Sequence, residues 1–170
     1  MRDPIHVILE YNPSPEFNPE APNTILNHIA VINKHGSVLW PKVSKSGRTE
    51  LHREDVPRIN EQIKQGGPET HFYMYAPEHR DYPRTLHVGL LKHVHFPNEV
   101  DSLDERIPKM YRMDEGPLSV MYYFELGGIK EVDLSELDNL LIYPHMTFLD
   151  LVSFISPQRV LEAERREFFG

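Results

Sequence analysis

Histidines on one predicted strand have the spacing that comes nearest to a metal site. His93 and His95 are two positions apart, so in a strand both imidazoles lie on one face, and His87 has the same parity. Three imidazoles on one face can hold zinc. The nearby carboxylates lie in loops at no diagnostic spacing: Glu78, Asp81 and Glu99. We therefore predict no bound metal and keep a histidine-based metallohydrolase as the third interpretation of the function.

Motifs of known catalytic centres are absent from the sequence. It contains 0 cysteines, which excludes a disulfide, a zinc ribbon and a thiol nucleophile. It has no nucleophile elbow, P-loop or dinucleotide fingerprint, and Gly127-Gly128 is an isolated pair. The acids Asp101, Asp104 and Glu105 belong to a polar loop, where ordinary surface carboxylates are expected. The sequence therefore favours a binding module without a cofactor over an enzyme.

Composition and charge limit the class of protein further. With 170 residues, of which 39% are hydrophobic, the chain has room for one domain with one core. The net charge is −8, but residues 34–95 carry ten basic and seven acidic side chains, whereas residues 96–140 carry four and eleven. Such segregation can give an acidic protein a locally positive face. No apolar run approaches the ~20 residues that a membrane span needs, so we expect a cytoplasmic protein without a membrane partner.

Short β-rich and helical segments separated by glycine and proline must position these side chains. We predict strands at residues 5–9, a hairpin of 27–32 with 37–40, a pair of 71–75 with 85–96, and two strands at 119–126 and 129–134. We predict a helix over 53–65, a short helix or turn at 134–140, and a C-terminal helix over 158–169 capped by Ser156.

This layout predicts an α+β fold. We expect a curled antiparallel β-barrel flanked by two or three helices, in a single domain over residues 1–170. An irregular proline-rich segment at about 11–24 and an acidic loop at about 97–117 interrupt it.

Five stretches carry a resemblance to a known superfamily: SVLWPKVSKSGRTEL, HFYMYAP, LHVGLLKHVHF, YYFELGGIKEVDL and SFISPQRV. In their order and their aromatic content they resemble the PUA-like superfamily, and within it the EVE and YTH domains. The resemblance implies a curled barrel that holds one modified nucleobase in an aromatic pocket. Similar domains form the N-terminal specificity module of McrB-type modification-dependent restriction proteins, which implies a fused or associated GTPase or nuclease as partner.

The resemblance places Trp40 at one wall of the base pocket. A flipped base needs flat side chains against its faces and hydrogen-bonding groups at its edge. The predicted base-binding residues are Trp40, Tyr73, Tyr75, Ser44, Ser46 and Asn33. If Phe72 and Met74 pack inward, alternation along the strand turns Tyr73 and Tyr75 towards a rim where a base can lie; otherwise they are half-buried sheet residues.

Basic side chains in the two neighbouring loops are suited to phosphate contacts, which orient a nucleic acid without reading its sequence. They are Lys42, Lys45, Arg48, Arg80 and Arg84.

The sequence therefore favours a reader of a modified base, flipped most plausibly out of DNA and otherwise out of RNA, in a restriction or defence protein. The alternative is a protein-interaction module in which exposed aromatics and the acidic loop dock a partner chain.

Overall fold

The computed structural model describes residues 3–11, 24–43, 51–78, 83–111, 120–143, 146–149 and 157–170. Within these ranges the fold is α+β, as predicted. The strands are β1 (His6–Glu10), β2 (Val38–Val43), β3 (His71–Ala76), β4 (Thr85–His95), β5 (Val120–Val132), β6 (Leu140–Ile142), β7 (Thr147–Phe148) and β8 (Gln158–Glu162). The α-helices are α1 (Thr24–His35) and α2 (Asp55–Gln65), and 3₁₀-helices span Pro97–Glu99, Lys109–Tyr111 and Leu134–Asn139.

The described strands form one sheet in the order β2-β5-β4-β3-β1-β8-β6-β7. The β1–β3 pair is parallel, and the other described pairs are antiparallel. The two ends of this order, β2 and β7, do not pair with each other within the described ranges. The mostly antiparallel sheet is therefore confirmed, whereas closure into a barrel is not observed among these strands.

The sheet is strongly curled. Trp40 on β2 and Phe72 on β3 are separated by two intervening strands, which in a flat sheet would put β2 and β3 about 14 Å apart. Their ring centroids are nevertheless 6.0 Å apart. The face that carries these two rings packs against Ile25 of α1 and Ile59 of α2, so both α-helices cover the same core.

Residues 27–32 are helical, so the predicted N-terminal hairpin is wrong. β-branched residues favoured a strand, but Ile25, His28, Ile29 and Ile32 also recur at helical spacing. In α1, Ile25 and His28 are buried while Leu26 and Asn27 are exposed, which is the burial pattern of an amphipathic helix. Packing of this apolar stripe against the sheet decides the conformation.

The predicted C-terminal helix is also wrong. Residues Gln158–Glu162 form β8, which pairs with β1 and β6, and Val160 and Leu161 are buried. The residues that follow are held by backbone hydrogen bonds to side chains: Glu69 accepts from the N–H groups of Phe168 and Phe169 at 2.8 and 3.0 Å. Pairing with the open edge of β1 thus overrides the helical preference of this segment. The predicted cap, Ser156, lies outside the described residues.

The two strands predicted around Gly127-Gly128 are one continuous strand, β5. These glycines allow close packing rather than a turn. A Cβ on Gly127 would come within 2.7 Å of the Lys92 side chain, and one on Gly128 within 2.9 Å of the Phe169 ring. Each glycine therefore makes room for a side chain that lies across the strand.

The helix predicted over residues 53–65 is confirmed as α2, and it is hydrogen-bonded to the sheet. β3 pairs with β4 only as far as Leu90, so the backbone of Val94 needs another partner. Asn60 supplies it: its Nδ2 donates to Val94 O at 2.9 Å, and its Oδ1 accepts from Val94 N at 2.8 Å. The side chain of Asn60 thus replaces a missing strand partner.

Replacing Asn60 with Ala should destabilise the protein by about 1–3 kcal/mol, because both backbone groups of Val94 lose their partner. Urea unfolding of the wild type and the variant measures this difference. Lys64→Ala, at an exposed position on the same helix, is the control and should change the free energy of unfolding by less than about 0.5 kcal/mol. Equal effects of the two substitutions would contradict this role of Asn60.

Candidate functional site

Trp40 lies within an aromatic cluster on the concave face of the sheet. It is 5% exposed. The imidazole of His28 on α1 stacks on its ring at 3.9 Å with an interplanar angle of 21°. The ring of Tyr11, just after β1, meets it edge-on at 6.0 Å. One face of the indole is therefore already covered by His28, and Tyr11 borders it from another side.

His28 is held in one neutral tautomer. Burial lowers its pKa to about 4, so the ring is uncharged near neutral pH. Nδ1 lies 2.6 Å from the carbonyl oxygen of Thr24, which can only accept, so Nδ1 carries the proton. Nε2 then accepts from the Tyr111 hydroxyl at 3.1 Å. This arrangement fixes the imidazole plane against Trp40.

Lys42 and His87 are two further polar residues on the Trp40 face. Alternation along β2 puts Lys42 on the same side as Trp40. Lys42 is half-buried, burial lowers its pKa, and no described residue forms an ion pair or hydrogen bond with it. His87 lies directly opposite Met74 of the concave core, and its Nδ1 is buried without a hydrogen-bond partner in the described structure. Thr85, two residues before His87, interacts with the Tyr11 side chain.

The predicted aromatic walls do not come together. Tyr73 and Tyr75 are 0% and 4% exposed and pack with Leu86, Val88 and residues of the C-terminal part, on the convex face of the sheet. Alternation along β3 was predicted correctly, since Phe72 and Met74 lie in the other core. The face of the tyrosines is not a rim, however, because the 3₁₀-helix Leu134–Asn139 and the C-terminal residues cover it. Trp40 and the two tyrosines therefore line different cores.

The remaining predicted contacts are distributed over the surface or fall outside the described ranges. Asn33 is exposed on the last turn of α1, about 140° around the helix from His28, so it does not face Trp40. Arg84 lines an open groove of about 430 Å³ together with Glu131 and Asp133, whose charges oppose phosphate binding. The predicted contacts in residues that the structure does not describe are Ser44, Lys45, Ser46, Arg48 and Arg80.

His87 does not share a face with His93 and His95, so that prediction is wrong. The register between β4 and β5 shifts twice, between Gly89 and Leu91 and between Leu91 and His93. Only the shift between Leu91 and His93 leaves an extra residue in β4, whereas the other leaves its extra residue in β5, so the parity of residues along β4 changes once. His93 and His95 remain neighbours, with ring centroids 4.5 Å apart, whereas His87 belongs to the Trp40 face.

A buried ionic network on the convex face was not predicted from the sequence. The imidazole of His71 lies between two carboxylates, with Nδ1 2.5 Å from Glu162 Oε1 and Nε2 2.9 Å from Glu69 Oε1. The Tyr73 hydroxyl donates to the same Glu162 oxygen at 2.7 Å. Burial opposes charge on His71, but the hydrogen bonds with Glu162 and Glu69 outweigh it and raise the pKa of the ring. The network is thus an imidazolium held by two carboxylates.

His6 stacks on His71 and lies 3.6 Å from Glu162, so the three could be taken for a metal site. The tautomer of His6 argues against this. Its Nδ1 accepts from the backbone N–H of His71 at 3.0 Å, so in the neutral ring Nε2 carries the proton. Burial lowers the pKa of His6 to about 4, which keeps the ring neutral. Nε2, which points at Glu162, therefore has no lone pair for a metal.

Sequence reasoning missed the residues that contact Trp40 from other elements. Tyr11 follows a strand and precedes the proline-rich segment, where nothing marked it as a partner of Trp40. His28 was assigned to a strand, although its helical spacing from Ile25 and Ile32 was the available signal. Glu69 and Glu162 meet at His71 only through the pairing of distant strands, which no local pattern reveals.

We expect His71 to titrate above pH 6.5 and its pKa to fall by at least about one pH unit in Glu69→Gln, because one of its two carboxylates is lost. NMR titration of the His71 ring protons measures both values. Since the folded pKa exceeds the unfolded one, the imidazolium stabilises the fold fully below about pH 6.5, and this stabilisation disappears as the pH rises through the folded pKa. Glu61→Gln, on the exposed side of α2, is the control. A His71 pKa that is the same in wild type and Glu69→Gln would refute the network.

Comparison with known proteins gives no assignment for this arrangement. No family model, no curated protein and no solved structure matches the chain. No helix in the described ranges has both the length and the apolar composition needed to cross a membrane.

Proposed function

We propose that the chain is a PUA-like domain, related to EVE and YTH domains, that reads a modified base flipped out of a nucleic acid, most plausibly DNA. One observation carries this proposal: on the face of Trp40 and Tyr11, two polar groups have no partner among the described residues, namely the Lys42 ammonium and the His87 Nδ1 atom. A partly buried cation and a buried ring nitrogen are stabilised by a polar partner, which a ligand or water can supply. A nucleotide offers an anion, a flat ring and a polar edge.

The site differs in its members from the one that the sequence suggested. Trp40 stays as one wall, and Tyr11 replaces Tyr73 and Tyr75 as the aromatic side chain beside it. The base is proposed to enter beside Trp40 and Tyr11, with His87 at its edge and Lys42 at a neighbouring phosphate. Because Trp40 is only 5% exposed, stacking of the base on the indole requires one of the present neighbours of Trp40 to move aside. Ser44, Ser46, Lys45 and Arg48 follow Lys42 in the chain and are proposed to complete the contacts.

The curled sheet suits this function. Its concave face brings Trp40 and Phe72 within 6.0 Å across two intervening strands, a curvature that suits a surface around one base. The proposed context is a modification-dependent restriction or defence protein, in which such a domain supplies specificity to a GTPase or nuclease.

The fluorescence of Trp40, the only tryptophan in the chain, reports directly on this site. We expect saturable quenching by short oligonucleotides that contain one modified base, such as 5-methylcytosine, 5-hydroxymethylcytosine or N6-methyladenine, and weaker quenching by the unmodified strand. His87→Leu should reduce this difference, because the edge contact is lost. Absence of any response at low salt would reject the reader function.

Lys42→Gln should weaken binding of all oligonucleotides alike and lower the slope of log K against log salt concentration by about 1, because one phosphate contact is lost. Fluorescence titrations at several salt concentrations give this slope. The matched control is Lys64→Gln, an exposed lysine on α2, which should leave the slope unchanged. An unchanged slope in Lys42→Gln would remove Lys42 from the site.

A protein-interaction module is the alternative function. Leu103, which lies in the acidic loop and is 75% exposed, would belong to its contact surface. An aromatic or aliphatic protein contact depends little on salt, whereas nucleic-acid binding weakens steeply with it. The salt titrations above therefore distinguish the two functions.

A further inference from the structure

His93 and His95 meet a carboxylate at the end of β4. The chain leaves the strand through the 3₁₀-helix Pro97–Glu99, which turns Glu99 back so that its Oε1 accepts from the backbone N–H of Phe96 at 3.4 Å. One ligand atom from each of His93, His95 and Glu99 lies within 4.8 Å of the others. The two histidines are half-buried and Glu99 is exposed, so an ion can reach the group from solvent.

Glu125 on β5 orients one of these imidazoles. His95 Nε2 lies 2.8 Å from Glu125 Oε1, and this carboxylate can only accept, so Nε2–H is the donor. In the neutral ring the lone pair is then on Nδ1. A carboxylate on the second nitrogen is the partner that metal-ligating histidines usually have, since it fixes the ring and makes the ligating nitrogen more basic.

The charge around the group favours a cation. Glu99, Glu125 and Asp104 contribute three carboxylates, against which Arg106 contributes one guanidinium, bound to Asp104 at 2.9 Å and to Glu125 at 3.4 Å. His93 has no hydrogen-bond partner in the described structure, so neither of its nitrogens is engaged.

We propose that His93, His95 and Glu99 bind one Zn²⁺, with Glu125 as the positioning residue for His95. Two imidazoles and a carboxylate are ligands that Zn²⁺ accepts, and a water can fill the fourth position. In a tetrahedral zinc site the ligand atoms lie about 3.4 Å apart, so closing the group requires only rotation of half-exposed side chains. The bulge in β4 between Leu91 and His93 puts both histidines on this face, away from the proposed base pocket. The zinc site is therefore independent of that pocket and revises the expectation of no metal.

Zinc titration of the chelator-treated chain, without an affinity tag and in competition with a chromophoric chelator, tests this proposal. We expect one Zn²⁺ per chain. His93→Gln and Glu99→Gln should each lower the affinity for Zn²⁺ at least about tenfold, and Glu125→Gln should lower it about 10–100-fold. Circular dichroism checks that each variant is folded. The control His35→Gln, at an exposed position on α1, should bind as the wild type does.

Three results would overturn the zinc site: no stoichiometric binding by the wild type, binding that His93→Gln leaves unchanged, or equal losses in His35→Gln and His93→Gln. Binding that survives His93→Gln but is lost in Glu162→Gln would place the ion at the buried network instead, and would equally reject the site at His93. Cobalt(II) adds an independent readout, because an intense visible d–d band is expected for tetrahedral coordination and should vanish in His93→Gln.

Discussion

Burial of β3 on both faces is the constraint on which the rest of the structure depends. All six of its residues are buried, so the strand separates two cores rather than bordering one. Phe72 and Met74 join Trp40 and both α-helices on the concave side, and Tyr73 and Tyr75 join the C-terminal residues on the convex side. A strand in this position cannot present aromatic rings to a ligand. A polar side chain within it must form its hydrogen bonds with other groups of the protein.

His71 shows how the molecule meets this requirement. A fully buried imidazole in β3 would be unstable alone, because both ring nitrogens need partners away from water. Glu69 precedes the strand and Glu162 comes from β8, so the two acceptors arrive from opposite sides of the ring. Glu69 also accepts from the backbone of Phe168 and Phe169, and the Phe168 ring packs on His71 at 5.0 Å. The same ionic network thus holds the C-terminal residues against the sheet, where Phe168 and Phe169 cover Tyr73 and Tyr75.

Local patterns predicted those elements whose partners are close in sequence. The β3–β4 hairpin, the amphipathic α2 and the short helical turn near Leu134 were recognised because their side-chain periodicity and terminating residues lie within one segment. The assignments of α1 and β8 failed where tertiary packing opposed local preference, since a β-rich run became a helix over the core and a helical run became an edge strand. The predicted common face of His87, His93 and His95 was wrong for a different reason. The register shifts that separate them arise from the pairing of β4 with β5, which the sequence of β4 alone does not reveal.

The same limits explain which part of the candidate site could be foreseen. Trp40 was proposed through the resemblance to base-reading domains, but the residues around it come from α1, β1 and β4, which meet it only in the curled sheet. Within the described structure, most buried polar groups have hydrogen-bond partners. These groups include the ring nitrogens of His28 and His71 and the backbone of Val94. Among the described residues, Lys42 and the Nδ1 atom of His87 have no such partner. Because both lie on the face of Trp40, pairing with a ligand is the role that the proposed base-reading function assigns to them.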